Sequence, residues 1–162
     1  MATNNPDQNL EEKKAFQDYY ADDYAHCFGC GRLNDNGFQL KSYWDGDESV
    51  CHFSPKAYHT GGKKNIVYGG LIAALMDCHG AATAAAAKSR ELGGVEKTGE
   101  MPRFVTAYLR VEYLLPTPIG CDLELRGRVK EVSGRKVFIE ADIIAEEKVC
   151  AKGDMLFIQI KA

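Results

Sequence analysis

From Val105 to Phe157 the chain alternates apolar and polar residues in four successive runs. Val105, Ala107, Leu109, Val111 and Tyr113 alternate with Thr106, Tyr108, Arg110 and Glu112. Leu123, Leu125, Gly127 and Val129 alternate with Glu124, Arg126, Arg128 and Lys130. Val137, Ile139, Ala141 and Ile143 repeat the pattern, and Val149, Ala151, Met155 and Phe157 close it. A period of two marks strands with one face buried. The links Pro116–Gly120, Ser133-Gly134 and Glu146-Glu147 are too short for a parallel crossover, so these strands are expected to run antiparallel. Two shorter strands are expected upstream, Phe38–Tyr43 and Ser49–Phe53, about an Asp45-Gly46-Asp47 turn.

Gly69–Lys88 has a different character. Alanine, leucine and methionine, the strongest helix formers, dominate it, and a cationic turn ends it at Lys88. The order is therefore strand, strand, long helix, four strands: an α+β domain. A lone apolar helix cannot bury itself, so a curved antiparallel sheet of about five to six strands must wrap it. Ala73, Ala74, Ala81, Ala82 and Ala84–Ala87 keep the helix thin and let the sheet approach. Residues 1–25 are polar and acidic and read as an N-terminal extension, partly ordered at best, with a short helix around Leu10–Tyr20. Residues 26–162 form the domain.

Composition narrows the function. The chain has 162 residues, is 27% charged and carries a formal net charge of -3. Without a basic cluster it offers nothing to neutralise nucleic-acid phosphates. Its longest apolar stretch, Ile66–Ala87, is interrupted by Asp77 and His79, so no membrane span is expected. The N-terminus lacks the basic start and apolar core of a secretory signal, which points to the cytoplasm and to six reduced cysteines.

Asp77 is the only Asp, Glu, Lys or Arg among the 23 residues from Asn65 to Ala87. A mid-helix carboxylate in apolar company carries a desolvation cost unless it is hydrogen-bonded or faces a cleft. It reads either as a solvated or Arg-paired structural acid or as a functional one. At 100° per residue, Gly70, Ala73, Ala74 and Asp77 share one small, flat face. Gly69-Gly70 opens the helix, where free N–H groups can receive a developing oxyanion and glycine lets a carbonyl come close.

Val67-Tyr-Gly-Gly-Leu-Ile-Ala-Ala-Leu-Met-Asp77 resembles the V-H-G-G-x-x-x-x-L-x-D signature of hotdog-fold acyl-CoA thioesterases of the phenylacetate-pathway (PaaI-like) branch. Val105-Thr-Ala-Tyr-Leu-Arg-Val-Glu-Tyr-Leu-Leu-Pro116 is similar to that family's V-T-x-x-L-x-V-x-Y-L-x-P strand, and His59-Thr-Gly61 to an H-x-G element. The resemblance spans about Asn36 to Ile160. It implies a hotdog fold, a homodimer or dimer of dimers with sites at the dimer interface, and hydrolysis of an acyl-CoA to free acid and CoA without a separate cofactor. The acid matching Asp77 acts as general base or nucleophile, the amide matching Gly70 polarises the carbonyl, and the hydroxyl matching Thr106, usually from the partner subunit, places the water. Tyr68, Gly69 and His59 would bind substrate. Tyr68 departs from the family's usual His: its hydroxyl can donate to a carbonyl but does not titrate near neutral pH. That departure keeps a second reading in play, an acyl-CoA binding protein without turnover. A hydratase on this fold would want an acid paired with a helix histidine, and His79 is badly spaced for that.

His26-Cys27-x-x-Cys30-Gly resembles half a zinc site, but no second C-x-x-C exists, so no metal is expected. Cys51-His52 or Cys78-His79 could complete one only by folding onto it. No Ser/His/Asp triad is supported. Arg103, Arg110, Arg126, Arg128, Lys130 and Arg135 are the cations available to CoA phosphates.

Overall fold

A computed structural model describes residues 13–161. The expected helix Gly69–Lys88 is α1, Gly69–Glu91, continued one turn further. The strands are β1 (Ser42–Asp45), β2 (Glu48–Phe53), β3 (Phe104–Tyr113), β4 (Leu123–Ser133), β5 (Lys136–Ala145) and β6 (Lys148–Gln159), with a short helix α2 (Val95–Thr98) after α1. The six strands form one antiparallel sheet in the order β1-β2-β4-β5-β6-β3. This sheet curls around α1, as the pattern requires, and the result is the hotdog architecture that the resemblance implies.

α1 is buried on every side but one stripe, as a helix inside a wrapped sheet with one open face must be. It is long and apolar enough to cross a membrane by composition, yet 72% of its apolar window is buried within the domain. Close approach is bought with small residues. A Cβ on Gly80 would lie 2.7 Å from Met155 Sδ and 2.8 Å from the Phe157 ring, and one on Gly153 would lie 2.7 Å from Met76 Sδ. Leu71, Ile72 and Leu75 point into this core.

Three local readings are corrected. The first strand begins at Ser42, because Gln39 adopts φ 50° and interrupts the extended run from Phe38. Residues 10–12 of the expected N-terminal helix lie outside the described residues. The part that is described holds the 3-10 helices Phe16–Tyr19 and Asp22–Tyr24, packed on the domain: Phe16 lies 5.2 Å from Trp44 between ring centroids, and Ala15, Gln17 and Ala25 are fully buried.

The third correction concerns β3. Thr106 pairs with Phe157 and Tyr108 with Leu156, so Ala107 is an extra residue, a β-bulge. The bulge breaks the strict alternation read from the sequence. Phe104 and Thr106 face α1 before it, and Leu109 and Val111 pack on the core after it, while Val105 is 48% exposed.

Candidate active site

The half-exposed residues of α1 are Gly69, Gly70, Ala73, Ala74, Asp77, Ala81 and Lys88; all but the first fall along one stripe of the helix. This is the flat face expected from the spacing. Asp77 is its only acid, and Thr106, beside the bulge in β3, faces it: Thr106 Oγ1 donates to Asp77 Oδ1 at 2.6 Å. The second carboxylate oxygen has no hydrogen-bond partner among the described residues. The resemblance drew this hydroxyl from a partner subunit; here it belongs to the same chain as the acid.

Asp77 and Thr106 line one wall of a cleft of about 660 Å³. Ala81 and Ala85 extend the same helix face along its floor, with Met101 and Phe104 opposite. This is the size and apolar character of a small-molecule site. Among the described residues, Arg103 is the only cation that lines the cleft. Its guanidinium lies over the Tyr24 ring and its Nε is buried without a partner, and burial draws its pKa down from the ordinary value. The other cations suggested by the sequence are engaged or remote. Arg126 binds Glu124 and Asp45, both at 2.7 Å, Arg128 binds Asp142 at 3.0 Å, and Lys130 binds Glu140 at 3.2 Å, where Glu140 and then Asp154 raise its pKa. Arg110 pairs with Glu112 at 3.1 Å, and Arg135 is exposed at the β4–β5 turn.

The remaining expected residues lie at the other end of the helix face. Tyr68 caps α1 and is 56% exposed, with its ring folded back so that a Cβ on Gly70 would fall 2.1 Å from the Tyr68 hydroxyl oxygen. Tyr113 donates to the Gly69 carbonyl at 2.7 Å and pins this first turn. His59 is joined to the segment through Tyr68 N–H, which donates to its carbonyl at 2.9 Å. Its ring packs among Phe38, Phe53 and Tyr58 and accepts from Lys56 N–H at 3.0 Å; burial, then the Lys56 charge, pushes its pKa down. None of Tyr68, Gly69, Gly70 and His59 lines the cleft that holds Asp77. Gly70 and Asp77 are separated by about 10 Å of helix rise, so one chain does not present both to a single carbonyl.

Two features were not legible in the sequence. Arg103 stands out only once its neighbours are paired off. Cys27, Cys30 and Cys78 converge at the cleft edge, Cys27 Sγ lying 3.7 Å from Cys78 Sγ. Hydrogen bonds from Cys30 and Cys78 hold the Cys27 thiol far below its usual range, and the contact with Cys27, followed by burial, pushes Cys30 and Cys78 up. The C-x-x-C spacing was the available signal; the third thiol, 48 residues beyond Cys30, needed the fold.

Residues 64–152 match the family model described as the thioesterase superfamily. A thioesterase superfamily protein from Shewanella loihica PV-4 is similar at 44% identity and TM-score 0.66, over 86% of this chain and 98% of that one. The E. coli PaaI protein from the phenylacetic acid degradation operon shares the fold at 15% identity and TM-score 0.62, over 77% of this chain and 82% of that one. Acyl-coenzyme A thioesterase THEM4 of Xenopus laevis is 32% identical over 109 residues, which are 66% of this chain and 43% of THEM4. The chain thus spans less than half the length of that curated relative.

Proposed function

The chain belongs to the thioesterase superfamily, and from that premise we propose that it hydrolyses an acyl-CoA thioester to the free acid and CoA, with Asp77 as its base or nucleophile. The observation that carries this is the Asp77 carboxylate, oriented by Thr106 in a cleft with one cation and an apolar floor. Either water attacks the thioester carbon while Asp77 takes its proton, or Asp77 attacks and water later releases the acid. In both routes the C–S bond breaks and the CoA thiolate leaves, to be protonated by solvent. A thioester is reactive enough for one such group and one oxyanion donor.

The oxyanion donor in this reading is the Gly70 N–H of a second copy. A donor must lie about 3 Å from the oxyanion, and the Gly70 of the same helix is too far from Asp77. β3 is the free edge of the sheet beside the open face of α1, and it exposes Val105, Tyr108 and Tyr113 (48%, 41% and 56%). Edge-to-edge pairing of two β3 strands would cover these residues and bring each Gly70 towards the other copy's cleft, giving a homodimer with two shared sites. One observation favours the second reading, acyl-CoA binding without turnover: the Tyr68 ring lies over Gly70 and must swing aside for a carbonyl to reach the N–H.

The test is thiol release from a panel of acyl-CoAs, acetyl to palmitoyl with phenylacetyl and benzoyl. Turnover of some member is expected. A silent panel accompanied by ligand-induced thermal stabilisation would establish the binding reading instead. Arg103 is proposed to meet a CoA phosphate. Arg103→Ala is expected to raise KM about tenfold with kcat nearly unchanged, the loss of one charge-assisted contact. An unchanged KM would remove Arg103 from the binding site.

A further inference from the structure

The loop from His26 to Gly37 closes onto itself through backbone hydrogen bonds and meets α1 at the Cys78 sulfur. Gly31 N–H donates to the Cys27 carbonyl at 2.7 Å, and Phe38 N–H donates to the Phe28 carbonyl at 2.9 Å, folding the loop back on itself. The sulfurs of Cys27, Cys30 and Cys78 all lie within 4.8 Å of one another, and Cys27 to Cys78 is 3.7 Å. Around a zinc ion with Zn–S bonds of about 2.3 Å, tetrahedrally placed sulfurs stand about 3.8 Å apart. The Cys27–Cys78 edge thus matches an edge of such a tetrahedron before any ion enters it, and the Cys30 sulfur lies within 4.8 Å of both.

The glycines between the cysteines are part of that construction. A Cβ on Gly29 would lie 2.2 Å from Cys78 Sγ, and one on Gly31 would lie 2.4 Å from the Cys27 nitrogen and 2.5 Å from the Ala25 carbonyl oxygen. Only glycine at both positions lets the loop settle on the helix with its thiols against Cys78. A disulfide would consume two of the sulfurs and leave the third without a role, whereas a thiophilic cation uses all three. The three cysteines also line the cleft that holds Asp77, so a fourth ligand position is available from the cleft.

We propose that Cys27, Cys30 and Cys78 bind one Zn²⁺ as thiolates, with a water from the cleft as fourth ligand. Binding releases the remaining thiol protons to solvent. The ion ties the 26–37 loop to α1 one residue from Asp77 and so fixes one wall of the cleft. Nothing in this assignment depends on the hydrolytic reading, and it stands if Asp77 proves inert.

The full chain, purified reduced and reconstituted with Zn²⁺, is expected to retain about one zinc per chain by elemental mass spectrometry after desalting. With Co²⁺ in its place, a thiolate-to-metal charge-transfer band and tetrahedral d–d bands are expected. Cys27→Ser should abolish both bands and reduce retained zinc to below about a tenth of an equivalent. Cys121→Ser, outside the cluster, should keep both. Cys27 is exposed, so its variant is expected to fold even where Cys78→Ser does not. Folded wild type that retains less than about a tenth of an equivalent, with no charge-transfer band, overturns the assignment. So does retention by Cys27→Ser, or a Cys27–Cys78 or Cys27–Cys30 disulfide found by peptide mapping of the unreduced protein.

Discussion

Asp77→Asn is expected to lower kcat/KM by about 10²–10⁴-fold while acyl-CoA binding persists. The amide keeps the size of the carboxylate, and its oxygen can still accept the hydroxyl that Thr106 donates at 2.6 Å. What it loses is the ability to take a proton or to attack a carbonyl. Binding and chemistry should therefore separate: ligand-induced thermal shifts remain and thiol release disappears. Turnover that survives the substitution would show that Asp77 is a structural acid and that hydrolysis, if present, resides elsewhere. The CoA thiol appears in either chemical route, so this measurement tests the residue and not the choice between base and nucleophile.

The second large effect concerns stability and lies on the opposite side of α1. His79 is fully buried and bonded at both ring nitrogens, to Ser42 Oγ at 2.9 Å and Ser49 Oγ at 3.1 Å. The surrounding donors decide its tautomer. Thr83 donates to the His79 carbonyl at 2.7 Å, leaving Ser49 to donate to Thr83 at 2.6 Å and to accept from His79 Nε2–H. Gln17 Nε2 donates to Ser42 at 3.0 Å, and Ser42 in turn donates to Nδ1. A second ring proton would oppose the Ser42 hydroxyl, and burial pushes the His79 pKa down to about 4.

Because the folded pKa is below the unfolded one, the unfolded chain takes up the proton first as pH falls. The contribution is whole above about pH 6.5 and is lost on the way to pH 4. Between pH 7.5 and 4.5 it should cost the wild type about 2–3 kcal/mol. His79→Leu should be less stable at pH 7.5 by about 3 kcal/mol, since it strands buried hydroxyls, but should lack this component of the acid slope. Denaturant melts of both proteins at the two pH values measure it. Equal slopes would show that His79 is not the titrating group.

What could be read from the chain and what could not divide along a physical line. The face carrying Gly70, Ala73, Ala74 and Asp77 was legible because helix geometry converts short spacing directly into position. The strands β4 and β5 were legible because alternation needs no knowledge of the partner. The bulge at Ala107 was not: two apolar phases either side of one small residue look like a single phase. Nor was the anchoring of residues 13–25, where Phe16 and Gln17 become core only when Trp44, Ser42 and His79 are there to meet them. Gln17, fully buried, is a polar residue that pattern alone assigns to solvent. The triple-cysteine cluster belongs with these, since Cys78 reaches Cys27 across 51 positions.

The extra residue in β3 sets unusual rules for what this strand tolerates. Ala107 itself is exposed, so the identity of its side chain has little bearing on the cleft. Its presence sets how the strand bends rather than which side chains face the helix. Remove one residue between Thr106 and Leu109 and the strand closes into unbroken alternation, with Thr106, Leu109 and Val111 still on the inner face. Variation at this point is thus free in the alphabet and forgiving in the count: a lineage can exchange the letter at 107, or drop it, and keep the hydroxyl on the side of Asp77, losing only the local kink that the bulge gives the strand.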